Sequence, residues 1–244
     1  MTVLITMAGL GSRFAREGYT VPKYKVRARG RTLFEWSLLS LSKFFNQKFV
    51  LVILKGEDES WLSSTAIELG ISDVCILTRE TLSSGQAETA FDALDGVDSN
   101  EVLWIYNIDT YVKQGISPAD IGDADGCLHV FKSNHPGMSY VHYDEKGLVD
   151  RVVEKSVISD WATAGIYGFR SVDAFSNAYT KTFESGTQEL INGERYVAPM
   201  YQSMIDLDKK IVAPRLDLDS VKILGTPKQV LEFDINAKAP KGNW

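Results

Sequence analysis

The sequence predicts an α/β protein: a Rossmann-like three-layer αβα fold with a mixed, mostly parallel central sheet and a small β-hairpin elaboration. Three observations predict it. Near-continuous apolar runs, of which Phe49–Leu54 (FVLVIL) is the purest, read as strands covered on both faces. These runs alternate with helical patterns at the spacing of parallel βαβ units joined by right-handed crossovers. In the second half, two strand-like runs flank Asp144–Gly147 (DEKG), a hairpin turn signal.

The elements follow in order. Val3–Met7 reads as a buried strand. Thr32 and Glu35 have capping-box spacing ahead of Trp36, Leu38, Leu39, Leu41 and Phe44, which predicts a helix. Phe49–Leu54 is the next strand, Glu57–Leu69 a helix with Gly70 as its stop, and Asp73–Leu77 a strand. Gly85–Leu94 reads as a short helix and Glu101–Ile108 as a further strand. Beyond it, Gly126–Lys132, Ser139–Tyr143, Gly147–Glu154 and Ala162–Phe169 are strand-like, and Ser171–Phe183 and Glu194–Leu207 helix-like. Lys210–Ala213 and Val221–Leu224 read as short strands, and Pro227–Asp234 as a closing helix. No low-complexity linker, composition break or internal repeat divides the chain.

Composition narrows the functional classes. The 244 residues are 44% hydrophobic and carry a net charge of −6, which suits one large domain and gives no broad basic footprint for nucleic acid or anionic membrane. No apolar run approaches the ~20 residues that span a bilayer, and no signal-peptide pattern opens the chain, so a cytoplasmic protein is the expectation. The two cysteines, Cys75 and Cys127, lie in apolar runs without metal-ligand spacing and read as buried thiols. His129, His135 and His142 show no metal spacing either.

The stretch Ile5–Lys25 (ITMAGLGSRFAREGYTVPKYK) carries the chemistry. It lacks the GK[ST] ending of an ATPase phosphate loop. It begins like a dinucleotide fingerprint at Gly9 and Gly11, but Phe14 stands at the third glycine position, where helix and strand must pack closely. What remains is a glycine turn whose amides can converge on anionic oxygens, with Arg13 as a bidentate fork and Lys23 as a mobile charge behind Pro22. Taken alone, this stretch is equally a glycine turn with solvated cations.

Further segments resolve the choice by resemblance. MAGLGSRF (Met7–Phe14) with PKYK (Pro22–Lys25) resembles the signature loop of the sugar-phosphate nucleotidyltransferases, also called nucleotide-sugar pyrophosphorylases and including phosphocholine cytidylyltransferases. SSGQAETA (Ser83–Ala90), IYNIDTY (Ile105–Tyr111), YDEKGLVDRVVEK (Tyr143–Lys155), TAGIYGF (Thr163–Phe169), GERYVAPMYQSMI (Gly193–Ile205) and LGTPKQVLEF (Leu224–Phe233) resemble later segments of that family, in order. The resemblance covers nearly the whole chain, as a single domain over 1–244. It implies a nucleotide-binding half over about 1–111 and an acceptor-binding half over about 112–244.

The resemblance implies an Mg²⁺-dependent transfer of a nucleotidyl group from an NTP to a small phosphorylated acceptor, with release of pyrophosphate. Ala8, Gly9, Gly11 and Ser12 would cradle the triphosphate, and Gly85 and Gln86 would lie beside the base. Arg13 would hold the leaving pyrophosphate and Lys23 would bridge the reacting phosphates. Asp109 would bind Mg²⁺. Glu154, Lys155 and Gly165 would line the acceptor, with Lys155 on its phosphate. One position departs from the pattern: Ile223 stands where many members carry a second metal aspartate. Asp219 or Asp217 could replace it, or both could be surface acids. Single-domain members of this size favour CTP, and the GERYVAPMY segment suggests capsule or surface-polymer synthesis. Two alternatives stay open: a non-catalytic nucleotide sensor on the same fold, and a GT-A-like glycosyltransferase, although Asp109-Thr-Tyr111 is not its D-x-D motif.

Overall fold

β1 (Thr2–Thr6) runs through the middle of the molecule and sets its layers. In this computed structural model, which describes residues 1–9, 11–185 and 190–237, β1 is bracketed by two parallel neighbours. These are β4 (Lys48–Leu54) on one side and β6 (Leu103–Asn107) on the other. The intervening β2 (Arg27–Ala28) and β3 (Arg31–Thr32) form a separate small ribbon. β5 (Asp73–Arg79) pairs parallel with β4 and ends that side of the sheet.

Beyond β6 the sheet turns antiparallel. After β7 (Thr110–Val112) come β8 (Gly126–Lys132), β9 (Tyr140–Tyr143), β10 (Val149–Val153) and β11 (Trp161–Phe169). β11 pairs antiparallel with β6 through Ile166 opposite Tyr106, and also with β8 and β9. The β9–β10 hairpin extends the sheet, and its turn closes as predicted: Gly147 has φ +79°, and Asp144 Oδ1 accepts the amides of Lys146 and Leu148 at 2.9 and 2.8 Å. β12 (Ile211–Val212) pairs parallel with β8, and β13 (Val221–Ile223) pairs antiparallel with β7 in a ribbon of its own.

The period-two alternation of β1 divides the core. Val3 and Ile5 point into one apolar layer with Phe34 and Leu38 of α2 (Leu33–Leu39) and Leu62 and Ala66 of α3 (Glu59–Glu68). Leu4 points into the other, with Ala87 and Ala90 of α4 (Gln86–Asp92), Phe175 of α5 (Val172–Tyr179) and Met200 of α6 (Ala198–Ile205). Helix starts obey local chemistry. Thr32 and Glu35 form the expected reciprocal capping box, and Asp58 and Ser171 cap α3 and α5.

Three differences from the sequence reading have causes in the tertiary structure. The polar stretch after the glycines contains a five-residue helix, α1 (Ser12–Arg16), because Phe14 is buried. Phe14 packs edge-on to Tyr19 at 5.2 Å and joins Leu33, Leu224, Val230 and Phe233, the last two from α7 (Pro227–Phe233). The helix expected over Glu194–Leu207 starts only at Ala198, because Arg195 spends its backbone groups on another element: its amide donates to Ser84 O and its carbonyl accepts from Ala87 N. Cys75 is only half-buried, since β5 is an edge strand, whereas Cys127 is fully buried and its thiol is pushed up by that burial.

Phe14→Ala tests the anchoring of the glycine turn. Truncating a fully buried phenylalanine should cost about 3–5 kcal/mol, read as a lowered midpoint in urea unfolding with an unchanged slope.

Candidate active site

Between β1 and β6 the sheet order reverses direction, and in open α/β sheets a crevice forms at such a point outside the carboxyl ends of the strands. The glycine turn leaves β1 here. Gly11 is left-handed, at φ +58°, and caps α1; a Cβ there would press on Lys23 Cβ at 3.3 Å. Ala8 is buried, Gly9 has open space where a Cβ would be, and Ser12 is exposed. Leu10 lies outside the described residues. Arg13 is exposed, and among the described residues it makes no hydrogen bond or ion pair. It is therefore available to a ligand.

The chain then returns through Pro22 into a 3₁₀ turn over Lys23–Lys25, which aims Lys23 across the crevice. Its Nζ lies 2.9 Å from Asp109 Oδ2. Asp109 sits in the tight link between β6 and β7, and that link is fixed from three directions. The Tyr106 hydroxyl donates to Thr110 O, Val112 N donates to Ser40 Oγ at 2.9 Å, and Leu224 N donates to Asp109 O at 2.6 Å.

Gly85 and Gln86 approach from the next crossover. Gln86 Nε2 donates to Thr6 Oγ1 at 3.0 Å, which places the residue at the carboxyl end of β1. Gly85 has φ +143°, and a Cβ there would lie 2.6 Å from Arg195 O and 2.7 Å from Arg195 N. Its missing side chain lets the segment before α6 lie directly on the start of α4. Arg195 completes the contact with its side chain, which donates to Tyr179 Oη and faces Glu88 at 3.7 Å.

Glu154, Lys155 and Gly165 approach from the antiparallel half. Glu154 follows β10 and is only 7% exposed, with Ser139 Oγ donating to its Oε2. Burial holds its carboxyl above the ordinary value of 4.5, assisted by the charge of Glu194 and opposed by the Ser139 hydroxyl and Lys155. Lys155 is left-handed at φ +51°, and its Nζ donates to Tyr196 Oη. Gly165 lies in an irregular stretch of β11, where three residues between Thr163 and Tyr167 oppose one residue of β8. A Cβ on Gly165 would fall 2.5 Å from Asn107 Nδ2, so the space it leaves is filled by the Asn107 carboxamide. Asn107 Oδ1 is buried without a hydrogen-bond partner in the described structure.

Asp219 is not brought to this site. Thr110 is paired with Ile223, and Val112 with Val221, so Asp219 emerges at the opposite end of the β7–β13 ribbon from Asp109. It is exposed, and its neighbour Ser220 accepts Lys113 N at 2.8 Å. Ile223 is half-buried against the apolar core. Among the described residues, no group of three His, Cys, Asp or Glu is placed to hold a metal ion. His129 is paired to Asp120 at 2.9 Å and His142 to Asp150 at 2.7 Å, both by other elements. Asn107, Ser139, Glu194 and Tyr196 were not picked from the sequence. Asn107 is two residues before Asp109, on the same strand-end motif. Tyr196 lies in the GERYVAPMY segment, where the helical reading concealed its approach to Lys155.

A glycine turn, two cations and an acid meet at the switch point of the mixed sheet, the class of site at which open α/β folds bind ligands. The comparisons sharpen this class. No protein-family model matches the sequence, and no curated protein matches it significantly. Among solved structures, a nucleoside-diphosphate-sugar pyrophosphorylase from Vibrio cholerae RC9 is 31% identical, with a TM-score of 0.86 over 96% of this chain and 99% of that one. The inositol-1-phosphate CTP transferase of T. maritima shares the fold at 18% identity, with a TM-score of 0.72 over 99% of this chain and 98% of that one. The chain belongs to the nucleoside-diphosphate-sugar pyrophosphorylase family, the sugar-phosphate nucleotidyltransferases. No helix among the described residues is long and apolar enough to cross a membrane.

Two substitutions test the geometry. Gly85→Ala forces a side chain into the Arg195 backbone and should cost at least the 1–3 kcal/mol typical of a strained residue, seen as a lower thermal midpoint. Glu154 supplies a pH signature. An acid whose folded pKa is raised holds its proton more tightly when folded, so it loses stability as pH rises from about 4.5 through the raised value. Glu154→Gln lacks this loss. The variant should gain stability relative to the parent as pH rises above about 4.5 in urea unfolding; a constant difference would contradict the assignment.

Proposed function

We propose that the protein is an Mg²⁺-dependent nucleotidyltransferase that couples an NTP, with CTP favoured, to a small phosphorylated acceptor of the sugar 1-phosphate type. The observation that carries this reading is the 2.9 Å contact between Lys23 and Asp109, which joins the glycine turn of β1 to the acid after β6 across the switch point. In the reaction, an acceptor phosphate oxygen attacks the α-phosphorus in line. The bond from the α-phosphorus to the bridging oxygen breaks, and pyrophosphate leaves with the electron pair. Both reactants are anions, so the main demand on the protein is alignment and charge compensation.

The residues divide this work. Amides of the glycine turn, with Ala8, Gly9, Gly11 and Ser12, hold the triphosphate. Arg13 reaches from α1 to the β,γ-end, where charge accumulates on the leaving group. Lys23 reaches the α-phosphate on leaving Asp109. Gly85 and Gln86 flank the base. Glu154 receives a hydroxyl or amine of the acceptor, Lys155 meets its phosphate, and Gly165 with Asn107 forms the floor between them.

Asp109 suits Mg²⁺. The ion commonly takes one or two carboxylates from a protein and completes its shell with phosphate oxygens and water, so a lone, partly exposed carboxylate at the phosphate site is an adequate anchor. When bound, the ion would neutralise phosphate charge at the reacting centre. Asp219 has no part in that anchor. A role in capsule or other surface-polymer synthesis fits the GERYVAPMY resemblance.

The single carboxylate also suits a second reading, a nucleotide sensor without turnover. Pyrophosphate release, measured with each NTP, Mg²⁺ and a panel of phosphorylated acceptors, decides between them. Turnover should be greatest with CTP, and Lys23→Ala should lower kcat by about 10²–10³-fold while nucleotide affinity changes far less. Binding of an NTP with no pyrophosphate from any pair would select the sensor.

A further inference from the structure

We propose that Tyr196 is the positioning residue for Lys155, storing its ammonium un-neutralised in the acceptor pocket until an acceptor anion takes it over. That the anion is the acceptor's phosphate rests on the nucleotidyltransferase reading. The hold of Tyr196 on Lys155 does not.

The starting point is a pairing that does not form. Glu154 and Lys155 are consecutive, yet among the described residues Lys155 makes no ion pair with any acid within 4 Å. Its left-handed backbone, fixed by Lys155 N donating to Met138 O at 3.0 Å, turns the side chain away from the strand direction of β10. The ammonium goes to Tyr196 instead. Nζ donates to the phenolic oxygen and lies 4.1 Å from the ring centroid. A phenol and a π-face both attract a cation without cancelling its charge. Burial, the hydrogen bond to Glu194 and the charges of Glu194 and Glu154 keep that phenol protonated, against the pull of Arg13. Lys155 is thus ordered before an acceptor arrives, and the rotamer entropy of a long side chain is already spent.

Tyr196 is itself held by the nucleotide side. Arg195 N donates to Ser84 O at 2.7 Å and Ala87 N donates to Arg195 O at 2.9 Å, across the close approach that Gly85 permits. The acceptor cation is therefore attached, through one residue of backbone, to the loop that starts α4.

The test has two independent readouts. In reductively ¹³C-methylated protein, the Lys155 signal, assigned by its loss in Lys155→Arg, should be displaced by the Tyr196 ring and should move when glucose 1-phosphate is added. Tyr196→Phe should keep most of the displacement, and Tyr196→Leu should abolish it. In turnover, Tyr196→Phe should raise the acceptor KM about three- to tenfold, the worth of one hydrogen bond, and Tyr196→Leu should raise it further, with nucleotide affinity unchanged. A Lys155 signal that matches exposed lysines and ignores Tyr196→Leu would overturn the proposal. So would an unchanged acceptor KM in a Tyr196→Leu protein that folds and binds nucleotide normally. If the signal behaves as expected but the parent releases no pyrophosphate with any pair, the nucleotidyltransferase reading fails and the Tyr196 hold on Lys155 stands.

Discussion

The chain leaves β1 on one side to build β4 and β5, then crosses to the other side to build β6, and the candidate site depends on that reversal. Because both neighbours of β1 are parallel to it, the loops after β1 and β6 emerge at the same edge of the sheet. A crevice between them is the geometric result. The glycine turn and Lys23 arrive from the first loop and Asp109 from the second. The ion pair that joins them therefore spans 86 residues of sequence but only the width of two adjacent strands. Had β6 paired beyond β5, Asp109 would stand at an edge strand and Lys23 would have no acid to meet.

The central half of the fold was legible because its causes are local. FVLVIL could only be a strand buried on both faces, and Thr32 with Glu35 signalled a helix start that the structure reproduces as a capping box. The glycine turn, Arg13 and Lys23 were legible for a similar reason: glycines and cations clustered beside an apolar strand are a short-range pattern. What escaped the sequence was set at long range. Phe14 read as an obstacle to close packing, but its partners Val230 and Phe233 lie at the far end of the chain, and with them it makes a small apolar core that holds the turn. Asp219 is near Ile223 in sequence, and proximity suggested that it could replace a missing acid. Strand register decides otherwise, since each residue along β13 moves away from Asp109 along β7.

The segment over Glu194–Val197 shows why hydrophobic periodicity misled. Tyr196 and Val197 extend the apolar pattern of α6 backward, but as the first turn of a helix over Glu194–Leu207 these four residues would have no intrahelical acceptors for their amides. Instead, Arg195 N donates to Ser84 O and Arg195 O accepts from Ala87 N, across a close approach that exists only because Gly85 has no Cβ. The choice between helix and strap at Arg195 is thus made by a glycine more than a hundred residues earlier. Gly165 works likewise on β11, giving its space to the Asn107 carboxamide at the end of β6. Two glycines on different elements set the walls of one crevice.

Charge explains how such a crevice remains stable when empty. Its three cations, Arg13, Lys23 and Lys155, outnumber its two acids, Asp109 and Glu154, within a chain of net charge −6. A different device restrains each group. Arg13 stays in solvent, where a charge costs little. Lys23 rests on a carboxylate that an incoming cation could claim. Lys155 rests on a phenol. Glu154 lowers its own desolvation cost by taking the Ser139 hydroxyl and by keeping its proton to higher pH. Each restraint uses a separate partner: Asp109 for Lys23, Tyr196 for Lys155 and Ser139 for Glu154. On the nucleotidyltransferase reading proposed above, an arriving pair of phosphates recruits the cations one at a time, with each release stabilised by the contact that replaces it, so the crevice does not hold bare like charges together.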